Sequence, residues 1–224
     1  MAERAFTHSL IYSTETLIFS ILALLLLAYY RGLGRQYVKF WMISLSALAI
    51  NQFSLACQHI FNEQEVGSYI DIAIAILRQV SQYFHILFLI LGIYAATKQK
   101  EVSKKILLIG GTSAVLIGVL AALSYGFDVR SVFNRFYLRE SLASFIFGSA
   151  LIASAFYLYS TKINHFSGKI FFAFCILVGC RYITYSFASI IFLTEDWFRY
   201  LTQNLAYVDI GINTVLGFIV LIWM

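Results

Sequence analysis

Five ionisable side chains stand deep in long apolar runs of this 224-residue chain: Asp71, Arg78, His85, Arg181 and Asp209. An ionisable group in a bilayer core costs roughly 2.5–3.5 kcal/mol on insertion scales, so such residues mark interior faces and functional sites. Asp71, Arg78 and His85 recur every seven residues, which sets them on one stripe of a helix with Gln82 alongside. In the preceding run Asn51, Ser54 and Gln58 fall at i, i+3 and i+7, with His59 beside the last. Tyr185 stands one turn from Arg181, and Asn213 one turn from Asp209.

Two arginines with one well-placed acid leave positive charge for a carboxylate or phosphate, the anions a guanidinium holds through paired hydrogen bonds. The predicted ligand-binding set is therefore Arg78, Arg181, Asp209, Asn51, Gln58, His59, Gln82, His85, Tyr185 and Asn213. The same residues also allow a packing role, in which Asp209 or Asp71 neutralises each arginine and the amides satisfy one another. A proton or cation route through Asp71, Asp209 and His85 is a third arrangement, opposed by the two arginines, which repel cations.

His59 and His85 lie on different helices without a paired-histidine spacing, so neither a metal nor another cofactor is expected. The chain has no H-E-x-x-H, no G-x-S-x-G and no glycine-rich phosphate loop. No catalytic residue and no enzymatic activity are expected in it.

The elements that must position these residues follow from composition. With 61% hydrophobic and 12% charged residues and a mean hydropathy of +0.81, the chain has more apolar surface than a water-soluble fold can bury. One bilayer crossing takes about 20 apolar residues. Apolar windows cover residues 10–30, 38–60, 69–96, 106–124, 141–160, 170–193 and 205–224. They are continuous runs rather than alternating segments, which excludes a membrane β-barrel. The predicted fold is all-α: a seven-transmembrane helix bundle forming one domain over residues 1–224, with no soluble module. Glu15 near the start of the first run, without a basic leader or cleavage site, marks that run as a retained helix rather than a signal peptide. There is no proline, so broken helices find no support beyond Gly110-Gly111. Cys57, Cys175 and Cys180 all fall in apolar segments and are read as packing residues without a disulfide.

Orientation comes from Lys and Arg. Arg31, Arg35, Lys39, Lys98, Lys100, Lys104, Lys105, Lys162 and Lys169 follow predicted helices one, three and five; the opposite side holds Arg4, Arg130, Arg135, Arg139 and Arg199 among most of the acids. This asymmetry sets the N-terminus outside and the C-terminus in the cytoplasm. The polar load then falls in the outer halves of helices two, three, six and seven. Trp197, Phe198, Tyr200, Tyr125 and Tyr137 are expected as interfacial anchors. The basic residues form no arm or soluble face, so nucleic acid is not a predicted partner.

Retinal proteins carry a lysine in the last helix, and residues 205–224 have none. G-protein-coupled receptors rely on proline kinks, and the likeness to them is in helix count only. The chain resembles the seven-helix N-terminal sensor domains of bacterial membrane histidine kinases and diguanylate cyclases. The similar pieces are Tyr37–Ala49 (YVKFWMISLSALA), Leu87–Tyr94 (LFLILGIY), Arg181–Tyr185 (RYITY) and the Asp209 run ending in Leu-Ile-Trp-Met. The resemblance implies sensing, a homodimer, and a last helix running into a cytoplasmic kinase or cyclase beyond Met224. The expected function is a sensory or receptor module of the bacterial cytoplasmic (inner) membrane. It would bind a small anionic or amphipathic ligand in an outer-half pocket and signal through helix seven, as in a two-component system. The alternative is a small-solute or proton transporter or channel.

Overall fold

The computed structural model describes residues 2–60, 69–98, 101–124, 136–160, 166–192, 195, 197–198, 208–209 and 211–219. Among these the backbone is helical apart from short links, and there is no strand. The chain divides into two compact units, Met1–Val132 and Phe133–Met224.

The first unit holds α1 (Ala2–Leu33), α2 (Gln36–Ile60), α3 (Tyr69–Lys98) and α4 (Lys104–Leu123). Gly34 ends α1 at φ +64°, its N–H donating to Tyr30 O at 2.8 Å, and α2 begins two residues later. A side chain would oppose that left-handed backbone, and glycine permits the abrupt reversal that sets α1 and α2 antiparallel. Sequential neighbours then pack: α1 on α2, α2 on α3, α3 on α4. Ser103 caps α4 by accepting from the Ile106 N–H at 3.4 Å, and the Val102 N–H donates to Gln36 Oε1 at 2.8 Å. Val102 is buried with Phe40, Leu91 and Ala95, so the start of α2, the end of α3 and the start of α4 are pinned together. Arg31, Arg35, Lys39, Lys98, Lys104 and Lys105 all belong to this end of the unit; His8, His59 and Asp71 belong to the other.

Small residues let these helices approach closely. Gly92 lies against the Trp41 indole with no room for a methyl group, and a methyl at Gly118 would stand 2.8 Å from the Val80 backbone. α4 buries only Ala114, Gly118, Ala121 and Ala122 and turns Leu108, Ile109, Leu116 and Leu120 outward. Small residues inside and large apolar ones outside are the distribution of a helix whose solvent is lipid.

The second unit opens with a π-helical turn, Tyr137–Ser141, which runs into α5 (Leu142–Ser160) and is followed by α6 (Phe166–Phe192); residues 208–209 and 211–219 are also helical. The wide turn carries Ser141 to α6, where Ser141 Oγ donates to Ser186 O at 3.1 Å and Ser186 Oγ donates to Ser141 O at 2.9 Å.

Among the described residues six helices are long and apolar enough to cross a membrane: those over Phe6–Leu33, Gln36–Ile60, Tyr69–Lys98, Lys104–Leu123, Tyr137–Tyr159 and Gly168–Phe192. The described residues are thus all-helical, with the several membrane-length helices expected of a multi-pass membrane protein. The first six predicted windows each coincide with one of these helices, α1 extending beyond its window at both ends. For the seventh window, 205–224, only residues 208–209 and 211–219 are described. Tyr125 and Tyr200 lie outside the described residues, as do Glu63, Glu65, Lys100, Asp128, Arg130, Arg135, Lys162, Asp196 and Arg199. Phe198, expected as an interfacial anchor, is 1% exposed instead, packed against Tyr185, Phe192 and Trp197. Being wholly apolar, it joins an aromatic cluster where Trp197 beside it stays exposed.

Candidate functional site

The seam between α2 and α3 is built on seven-residue spacing. Ser44, Asn51 and Gln58 recur along α2 opposite Arg78, Ser81 and His85 on α3. Ser44 Oγ donates to His85 O at 3.0 Å, while His85 Nδ1 lies 3.1 Å from Ser44 O and 2.9 Å from Ser44 Oγ. The hydroxyl has one proton, already given to His85 O, so Nδ1 carries the hydrogen shared with the two Ser44 oxygens. One turn and more along, Asn51 Nδ2 donates to Arg78 O at 3.0 Å and Ser81 Oγ donates to the same carbonyl at 2.9 Å. The Arg78 guanidinium donates from Nη1 to Gln58 Oε1 at 3.2 Å. Of the predicted set, Asn51, Gln58, Arg78 and His85 thus share one seam. Gln82 is adjacent on α3, and its buried Oε1 accepts no hydrogen bond from the described residues.

His59 does not join that seam. It is rotated toward α1, where its ring stacks on Tyr12 (5.5 Å between centroids, 12° between planes) and on His8 (5.3 Å, 20°). Neighbours in sequence diverge here because adjacent residues point about 100° apart around a helix.

In the second unit Arg181 Nη1 donates to Asp209 Oδ1 at 2.5 Å, and the Tyr182 hydroxyl donates to the same oxygen at 3.0 Å. The guanidinium carbon lies 5.0 Å from the centre of the Tyr182 ring, a cation–π contact. The bridge is single-pronged. One guanidinium nitrogen meets one carboxylate oxygen, and the Tyr182 side chain stands beside both groups. The two side chains keep 22% and 35% of their accessible surface. Asn213, four residues beyond Asp209, is buried. Tyr185 stacks on Phe198 at 6.3 Å.

The two predicted arginines therefore occupy different units, Arg78 with an amide oxygen and Arg181 with a carboxylate. Ser44, Ser81 and Tyr182 escape sequence reasoning. Serines are common in membrane helices, and Tyr182, next to Arg181 in sequence, does not share its helical face; only the ring's reach joins them. The cysteines are free thiols, Cys175 buried and Cys180 exposed. Among the described residues no group of three or more His, Cys, Asp or Glu is placed to hold a metal ion. The chain matches no family model, no curated protein and no solved structure.

Proposed function

We propose that this chain is a membrane sensory or receptor module that binds a small anion at Arg181 and signals through the helix carrying Asp209. The carrying observation is the single-pronged Arg181–Asp209 bridge between α6 and the last helical segment. An incoming carboxylate or phosphate is held by the planar guanidinium through two parallel hydrogen bonds. It then competes with Asp209, and loosening that bridge changes the hold of α6 on the segment at 208–219. A ligand shifts such an element by the difference in its affinity for the bridged and opened states. Tyr182 retains a hydrogen bond to the carboxylate in the opened state, which limits the cost of freeing Asp209.

In this reading seven helices cross the membrane, with the N-terminus outside, in a bacterial cytoplasmic membrane. Support comes from the basic end shared by α1–α4, where Arg31, Arg35, Lys39, Lys98, Lys104 and Lys105 collect, as they do on the cytoplasmic side of membrane proteins. The chain works as a homodimer, and its last helix transmits to a cytoplasmic kinase or cyclase, as the resemblance implies.

The test is a high-resolution structure of the chain in lipid nanodiscs. Non-protein density on the Nε–Nη2 edge of Arg181 supports the proposal, and a guanidinium closed off entirely by protein groups overturns it. Flux of solute or protons through liposomes containing the chain would instead favour a transporter.

A further inference from the structure

Arg181 stands near the middle of the membrane-length stretch Gly168–Phe192, roughly 16–20 Å from either end at 1.5 Å per residue. Between Lys169 and Phe192 no other residue is charged. The helix face beside it turns outward. Ile170, Leu177, Thr184 and Ile191, at i−11, i−4, i+3 and i+10 from Arg181, are all exposed, Leu177 to 72%. Cys180, next to it in sequence, is exposed as well. Arg181 and Asp209 keep part of their own surface, whereas Tyr182 packs on buried Phe147, ring centres 5.0 Å apart. The Arg181–Asp209 bridge thus lies at the edge of an outward-facing apolar surface, at a depth where hydrocarbon surrounds a membrane helix.

We infer, resting on the reading of that bridge as an anion receptor, that its ligand is a single-chain carboxylic acid that arrives sideways from the bilayer, enters neutral and gives its proton to Asp209. A water-soluble anion meets a heavy desolvation cost on any path through hydrocarbon. A phospholipid keeps its charged phosphate at the interface, about 15 Å from the midplane. A carboxylic acid carries no charge on that path, and its alkyl chain packs along Leu177 and Ile170 on the outward face. At the bridge the O–H bond of the acid breaks and an O–H bond forms on Asp209; nothing is oxidised or reduced. The new carboxylate takes the place of Asp209 beside the guanidinium, so the site holds one cation and one anion before and after. The Tyr182 hydroxyl donates to Asp209 Oδ1 at 3.0 Å and keeps an acceptor there when Asp209 is neutral. Proton exchange between two carboxyl groups therefore frees Asp209 from Arg181 without leaving an uncompensated charge in the membrane.

The experiment is infrared difference spectroscopy of the full chain in phosphatidylcholine nanodiscs on addition of decanoic acid isotope-labelled at its carboxyl, which separates ligand bands from protein bands. A saturable ionised-carboxylate band should appear from the ligand together with a protonated-carboxyl band from the protein, the latter missing in Asp209→Asn. In Arg181→Gln the affinity should fall at least about tenfold. Equal affinity in Arg181→Gln sinks the anion-receptor reading and the carboxylic-acid ligand together. Other outcomes spare that reading and overturn only the ligand and its proton exchange: no saturable ligand band, ligand bound without a protein carboxyl band, or a band that survives in Asp209→Asn. Inorganic phosphate bound as tightly as decanoic acid, or decanoic acid displaced when phosphatidylglycerol replaces phosphatidylcholine, does the same. Should either variant fail to fold, parent protein with isotope-labelled aspartate decides the matter, since the protein band must then shift, and an unshifted band overturns the exchange.

Discussion

Gly148 and Gly179 meet backbone to backbone: a methyl group at Gly148 would lie 2.7 Å from Gly179 O, and one at Gly179 would lie 2.9 Å from Gly148 O. Seven residues from each glycine, the Ser141–Ser186 exchange ties the π-helical turn leading into α5 to α6. Between helices in lipid, close approach of this kind replaces the hydrophobic effect as the source of association.

Gly148→Val and Gly179→Val should therefore each destabilise the second unit by about 1–3 kcal/mol, because the obstacle is backbone and cannot rotate away. Gly111→Ala in α4, where a methyl meets nothing within 4 Å, should be neutral or slightly stabilising. Thermal unfolding of the three variants in one detergent distinguishes them; equal losses would refute the close-approach account.

Ser44→Ala removes the hydroxyl that bonds His85 O and faces His85 Nδ1, and should cost about 0.5–1.5 kcal/mol. The ring keeps its hydrogen on Nδ1, since Ser44 O remains as acceptor. Nitrogen NMR of labelled His85 reads the tautomer directly, and a proton found on Nε2 alone would contradict the assignment.

Gln79 on α3 is 0% exposed, and neither its Oε1 nor its Nε2 has a hydrogen-bond partner among the described residues. Enclosing an unmet amide costs about 1–3 kcal/mol by mutational measures, and leucine fills nearly the same volume without that cost. Gln79→Leu should raise the unfolding temperature. A lowered one would mean that the amide binds water or a ligand essential to the fold.

Lysine at position 181 retains a positive charge for Asp209 but has no planar fork. Arg181→Lys should stay within about 1 kcal/mol of the parent in stability, because the positive charge opposite Asp209 is kept and the pair is partly exposed. Binding of an anion that occupies the Arg181 edge should fall at least about tenfold, equivalent to 1.4 kcal/mol. Calorimetry with inorganic phosphate and with succinate on parent and variant measures this; an anion bound equally by both would place the site elsewhere.

The six membrane-length helices were legible because their signal is local. Away from water, backbone N–H and C=O groups must bond within their own segment, so a long apolar run has one available form. The polar stripe of Asn51, Gln58, Arg78 and His85 was legible for a related reason, since seven-residue spacing puts residues on one side of a helix whatever it packs against. The basic end of α1–α4 also follows directly from where Lys and Arg stand along the chain.

Tertiary structure alone decided the partners. It gave Arg78 an amide oxygen and Arg181 a carboxylate. It turned His59 away from its neighbour Gln58 toward His8 and Tyr12, and it enclosed Glu15, which in the sequence only marks the start of an apolar run. Tyr182 reached Asp209 because an aromatic side chain spans the step between helical faces. The reason is physical: periodicity along a helix is a property of that helix, whereas the rotation and separation of two helices come from many weak contacts. Gly148 with Gly179 and Gly92 with Trp41 are among these contacts, and their sum is settled only when both helices are in place.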